Sequence, residues 1–284
     1  MQGHGRESQQ KDKEAAGDPA VRGSRRWRIA AGRQVYARLA ELVGPAFGAH
    51  RGHVLPGALC ALLPCQCTLC GAVQDDVVCR QCAGDLLRPV SRCPVCALAR
   101  KRNQPCAACA TGQPAFDHAC TLGDYAPPQD GLVLALKFGN VLPLAGWLAA
   151  ALAARLPAAW AAAHLRPPDL LAPVPLSPQR LAERGFNQAW EIARPLARAL
   201  GLPSDPVLLR RRRDTATQHT LDLASRQVNL RDAFRLSRPR SLAGRHVALV
   251  DDVMTSGATL DEAARMLKAH GAARVSVIVA LRTP

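Results

Sequence analysis

Between His246 and Leu281 the chain reads as an apolar strand, two adjacent carboxylates, a short loop of hydroxyls and glycine, a helix and a second apolar strand. The helix is expected from Leu260 to His270, with Gly271 as its C-cap and a strand from Arg274 to Leu281. This is a complete βαβ unit. It puts Asp251 and Asp252 at the carboxyl end of a strand, where open α/β sheets bind ligands. The loop Thr255-Ser256-Gly257-Ala258-Thr259 can turn its backbone N–H groups inward as an anion nest. A helix starting near Ala258 adds the positive end of its dipole. Carboxylates repel phosphate and suit neighbouring hydroxyls, such as the 2- and 3-hydroxyls of a ribose. The plainer reading is a strand-to-helix turn with Thr255 or Ser256 as N-cap. The length of the pattern favours a sugar-phosphate cradle.

Upstream, strands and helices alternate, as in an α/β fold around a mostly parallel sheet. Strands are expected at Ala119 to Tyr125, Leu170 to Val174 and Val207 to Leu209. Helices are expected up to Lys137, from Leu142 to Leu156, from Gln179 to Leu200 with a kink at Pro195, and from Ser225 to Phe234. Arg210 to Ala224 reads as polar and irregular. Pro173-Val174-Pro175-Leu176 is a strand end with fixed φ and missing donors. The segment Arg184-Gly185-Phe186-Asn187-Gln188 brings a cation and amides to the same end. Four consecutive arginines, Arg210 to Arg213, repel one another unless an anion or solvent separates them. Lys137 and Arg226 are further candidate cations.

The chain has 11 cysteines. Eight form Cys-x-x-Cys knuckles: Cys67/Cys70, Cys79/Cys82, Cys93/Cys96 and Cys106/Cys109. Two knuckles complete a tetrahedral four-sulfur site, so four imply two zinc ions. An iron–sulfur cluster is the alternative metal. Pairing in chain order is simplest, but an interleaved pairing satisfies the same spacing, and Cys65 sits close enough to compete. Cys60 and Cys120 read as small core residues. With all ligands from protein the metals are expected to be structural, in a segment too short to fold without them.

The 284 residues carry a net charge of +15, which favours polyanionic partners. The first 28 residues lack the apolar core of a signal peptide. Val141 to Ala163 is interrupted by Pro143, Arg155 and Pro157 and reads as a buried helix beside a sheet, not a membrane span. A cytoplasmic protein is the expectation. Residues 1–57 read as a basic extension, disordered at first and with an amphipathic helix over Val35 to Phe47. Residues 58–115 read as a double zinc-ribbon module and 116–284 as the α/β domain.

Val-Asp-Asp-Val-Met-Thr-Ser-Gly-Ala-Thr (250–259) resembles the phosphoribosyl-pyrophosphate (PRPP) signature of type I phosphoribosyltransferases. Leu-Lys-Phe (136–138), Pro-Val-Pro-Leu (173–176), Arg-Gly-Phe-Asn-Gln (184–188) and Arg211-x-Arg213-x-Thr215-x-x-Gln218 precede it. Leu221, Arg226, Asn229 and Phe234 follow, and the knuckles stand before them all. In this order they closely resemble the ComF-type competence family, over roughly residues 58–284. The resemblance implies a type I phosphoribosyltransferase-like domain behind a double zinc ribbon. It implies that Asp251 and Asp252 hold the ribose hydroxyls and that residues 255–259 wrap the 5-phosphate. It also implies that Pro175 and Leu176 meet the pyrophosphate, with Lys137, Arg184, Arg211 and Arg213 as cations around it. Magnesium would enter with PRPP. Asp251, Asp252 and Arg213 would be catalytic if the group is transferred. The implied role is DNA uptake, handling single-stranded DNA with other uptake proteins. An active transferase and a zinc-organised assembly protein with PRPP as regulatory ligand are the other readings. Ser256 stands where Thr is common, and no residue identifies a nucleophile.

Overall fold

The computed structural model describes residues 65–102, 104–211 and 233–284. All lie in one compact unit, Val54–Pro284. The extension 1–57 with its expected helix, and Arg212, Arg213, Thr215, Gln218, Leu221, Arg226 and Asn229, lie outside the described residues.

The cysteine-rich segment has little regular structure. A two-residue ladder joins β1 (Cys65–Gln66) to β2 (Val73–Gln74), and two short helices follow, α1 (Arg80–Leu86) and α2 (Ala107–Thr111). Both helices start on a cysteine, Cys79 or Cys106, in extended conformation.

The main sheet contains β3 (His118–Asp124), β4 (Leu170–Pro173), β7 (His246–Met254) and β8 (Arg274–Arg282), all parallel in the order β3-β8-β7-β4. A separate antiparallel pair is formed by β5 (Leu209–Arg211) and β6 (Phe234–Leu236). The helices are α3 (Asp130–Phe138), α4 (Pro143–Ala162), α5 (Pro178–Arg184), α6 (Gln188–Leu200) and α7 (Ala258–Ala269). The middle strands β7 and β8 are covered on both faces, which is why they read as continuous apolar runs. Alternation along them separates two cores. Val247, Leu249, Val275, Val277 and Val279 pack with α7 and with Cys93, Cys106 and Cys109. Ala248, Val250, Ile278 and Ala280 pack with α3, α4 and α6.

Four expectations change. The helix expected to end at Leu156 runs through Pro157 to Ala162, because Trp160 anchors its last turn in the core. Helix α4 is long and apolar enough to cross a membrane by composition. Here it lies on the sheet, with Leu144, Leu148, Leu152, Leu156 and Trp160 buried on one stripe. The single helix expected over Gln179 to Leu200 is broken at Gly185, and Pro195 lies inside its second part, α6. Gly185 takes a left-handed φ of 77°, and the Asn187 side chain caps α6 by accepting from Ala189 N. Arg210 and Arg211 are in β5, not in an irregular segment, and Phe234 is in β6, not in a helix.

Both sheet edges are occupied. Beyond β4, Leu171 exchanges hydrogen bonds with Pro203 and Asp205 at 2.9 Å each. Beyond β3 lies the cysteine-rich segment. Arg155 of α4 donates to Thr121 O and Leu122 O on β3 and to Leu87 O after α1. Leu86 closes against Gly123, where a Cβ would lie 2.6 Å from Leu86 Cδ1. Leu86 is buried, so it has little room to withdraw. Gly123→Ala is expected to cost about 1–3 kcal/mol of overpacking. Gly84→Ala, in α1 with open space around it, is expected to be neutral or stabilising by up to about 1 kcal/mol. Denaturant titration of both variants checks this, and equal stability of the two would show that the Leu86 contact is not fixed.

Candidate functional site

Strand β7 outruns β4. Its pairing with β4 ends at Pro173↔Val250, while its pairing with β8 continues to Met254↔Arg282. Asp251 and Asp252 sit on this overhang, and the turn Val174 to Leu176 leaves β4 beside them, fastened by Val174 N to Val250 O at 2.9 Å. Neighbours on a strand point to opposite faces. Asp252 is buried and takes the side of α3, where Lys137 Nζ meets its Oδ2 at 2.8 Å. Asp251 instead accepts from the Asp252 N–H at 2.9 Å. Burial pushes the Asp251 carboxyl up and the Asp252 charge pushes it further, to about 7, against the pull of Lys137, the Asp252 N–H and Arg211. The structure therefore joins Lys137 to the carboxylate pair, with Arg211 in electrostatic reach.

After Met254 the chain turns outward. Thr255 and Ser256 are exposed, and Gly257 has a φ of 83° as N-cap of α7. This left-handed position explains the glycine. A Cβ here would also meet Met254 Sδ at 3.5 Å and Phe116 Cζ at 3.8 Å. Ser256 Oγ accepts from Ala258 N at 3.4 Å. Hence Ala258 and Thr259 are the first residues of a helix whose initial N–H groups have no partner within it. Across the mouth, Asn187 Nδ2 donates to Val174 O at 3.1 Å, tying α6 to the turn that carries Pro175 and Leu176. Arg184 donates to Gln188 Oε1 and lies over the exposed Phe138 ring at 5.4 Å. Arg211 lies over Phe234 at 5.7 Å.

The cysteines fall into two groups of four in chain order, Cys67, Cys70, Cys79, Cys82 and Cys93, Cys96, Cys106, Cys109. Cys65, in β1, belongs to neither. Within each group the sulfurs lie within 4.8 Å of one another. Cys70 and Cys79, and Cys96 and Cys106, approach to 3.7 Å. Zinc at about 2.3 Å from each sulfur of a tetrahedron sets sulfurs about 3.8 Å apart, so both groups fit the ion. Burial opposes ionisation of Cys67 and Cys93, but backbone N–H donors outweigh it and bring the thiols down to about 6 and about 7. Burial and the neighbouring sulfurs push Cys82 and Cys109 up. Four thiolates at such distances need a cation among them.

The phosphoribosyl transferase domain family matches residues 187–284. The DNA utilization protein YhgH of Salmonella typhimurium is 38% identical over 225 residues, 78% of this chain and 98% of that protein. Competence protein F of Haemophilus influenzae is 34% identical over 175 residues, 61% of this chain and 76% of that one. Competence protein ComFC of Bacillus subtilis is 36% identical over 115 residues, 40% and 45% of the two chains. The chain belongs to the ComF-type competence family. Among solved structures, the purine phosphoribosyltransferase from Pyrococcus horikoshii is similar at 18% identity, over 49% of this chain and 82% of that one, with a TM-score of 0.31.

In this ComF-type protein some residues around the site escape sequence reasoning. Arg282 ends β8 with its guanidinium among the carbonyls behind the loop. Asp261, in the first turn of α7, accepts from Ala115 N at 2.5 Å. The signal for Arg282 was a charge at the end of an otherwise apolar strand. Asp261 carried none beyond its helix-start position.

The raised Asp251 pKa has a definite sign for stability. Its charged form is disfavoured in the fold, so there is no penalty below the unfolded value near 3.8. The penalty grows as pH rises and is complete above about 7. Asp251→Asn removes that penalty. Its stability relative to the parent is expected to improve between about pH 4 and 7 and then level off in urea unfolding. A difference independent of pH would mean that Asp251 is not held neutral.

Proposed function

We propose that this ComF-type protein binds PRPP at the Asp251–Asp252 loop and handles single-stranded DNA during DNA uptake. The observation that carries the first half is the carboxylate pair on the β7 overhang, followed by an exposed glycine loop at the start of a helix of 12 residues. The ribose hydroxyls donate to Asp251 and Asp252. The 5-phosphate accepts from the N–H groups between Thr255 and Thr259, with the positive end of α7 behind it. The turn with Pro175 and Leu176 lies beside the pyrophosphate, and Lys137, Arg184, Arg211 and Arg213 balance charge around the ligand. Magnesium accompanies the pyrophosphate and neutralises its oxygens. Zinc in both cysteine groups is structural, since protein sulfurs fill all four positions. Reduced thiols and PRPP suit a cytoplasmic setting.

The match to the phosphoribosyl transferase domain favours a second reading, in which an acceptor attacks C1 of the ribose and pyrophosphate leaves. Asp251, Asp252 and Arg213 are then the catalytic residues. Titration calorimetry with magnesium and PRPP separates the readings. Binding is expected in the parent and at least about tenfold weaker in Asp252→Asn, whose Lys137 partner is lost. Absence of binding in the parent would remove the PRPP assignment. Pyrophosphate release above the Asp251→Asn background would establish the transferase.

For DNA, the support is the net charge of +15, the DNA-utilization and competence names of the relatives, and one turn of the second cysteine group. Lys101 and Arg102 are exposed beside Arg100, and none of the three is in an ion pair among the described residues. Single-strand affinity should fall with salt, with a slope of about 0.7 per phosphate neutralised. Replacing Arg100, Lys101 and Arg102 by Gln is expected to flatten the slope by about 2. An unchanged slope would exclude this turn as the contact.

A further inference from the structure

The two cysteine groups differ in what they touch. The first packs its surroundings, Leu69, Val77, Val78 and Leu86, into the core shared with α3 and α4. The second shares a core with Met254 and Leu260, which flank the loop after Asp252. Arg282 bridges that second group and the loop. Its Nε donates to Cys96 O at 3.1 Å. Its Nη1 donates to Met254 O at 3.2 Å and to Thr255 O. The side chain is buried, and no carboxylate pairs with it among the described residues. One more tie runs beside it: Ala115 N donates to Asp261.

A trans peptide points its carbonyl and its N–H in opposite directions. With the carbonyls of Met254 and Thr255 turned to Arg282, the N–H groups of Thr255 and Ser256 point away from it. Successive N–H groups on one side make an anion-binding concavity. Arg282 thus sets the polarity of the loop, and its uncompensated charge further favours an anion there. The carbonyl that fixes Nε belongs to a cysteine of the second group, so the order of that group bears on the loop.

We propose that Arg282 is a positioning residue that couples the second cysteine group, in its metal-bound form, to phosphate binding at residues 255–259. This rests on the reading of that loop as the 5-phosphate site. Zinc at Cys93, Cys96, Cys106 and Cys109 and a phosphomonoester at the loop then bind cooperatively, while zinc at the first group does not take part. Coupling is reciprocal: each ligand tightens the other by the same factor.

The test uses the full chain with both zinc ions and ribose 5-phosphate as probe. Zinc release to a chromogenic chelator is followed with and without the probe. The probe is expected to slow one of the two release phases by about tenfold and leave the other unchanged. A Cys70→Ser chain, weakened only in the first group, identifies the protected ion as the second. Arg282→Met should keep both zinc ions, bind ribose 5-phosphate about tenfold or more weakly, and lose the protection. Arg282→Lys should recover part of both. Identical release with and without bound probe would overturn the coupling, and this arm needs no variant to fold. Binding by Arg282→Met within twofold of the parent would overturn the positioning role. If the parent fails to bind ribose 5-phosphate in calorimetry, the phosphate-site reading itself fails. Binding without protection defeats only the coupling.

Discussion

Holding two adjacent carboxylates at the end of an apolar strand, one buried and one half-buried, is costly, because each loses solvent and each repels the other. The surroundings of β7 are arranged around that cost. One carboxylate is answered by Lys137, delivered from α3 on one face of the sheet. The other, its carboxyl raised to about 7, folds back on the adjacent N–H. β4 stops short, so both groups look into a mouth rather than into another strand.

The two four-cysteine groups set a second constraint. The segment with both cysteine groups has two two-residue strands and two short helices. So little regular structure cannot support independent folding without cross-links. Its order comes from the sulfur clusters within and from the α/β domain outside, through Arg155, Leu86, Arg282 and the Arg92–Asp124 pair at 2.6 Å.

What the sequence made legible follows the range of the interactions involved. The βαβ unit from His246 onward was readable because its strand, loop and helix signals are local. The eight cysteines read as candidate metal ligands because each knuckle is a local turn, whereas their grouping depends on how knuckles meet and is given by the fold. Gly185 and Asn187 end one helix and cap the next, a local signal outweighed in the reading by the more conspicuous Pro195. The contact of Lys137 with Asp252 and that of Arg282 with the loop join segments far apart in the chain. A cation has no periodicity that announces its partner.

The seam between the cysteine-rich segment and β3 bears on how such a chain is divided. A parallel edge strand left bare offers a row of unpaired backbone groups to any other chain. Here the edge of β3 is met by Arg155, and the apolar surface beside it is closed by Leu86 and Val78. A boundary drawn near residue 116 would cut where composition changes, yet through packed side chains. In solubility terms, the cysteine-rich segment covers an edge that would otherwise be open to pairing with another chain. The two parts inherit one another's folding problems, and a truncated α/β half would carry a sticky edge that the whole protein hides.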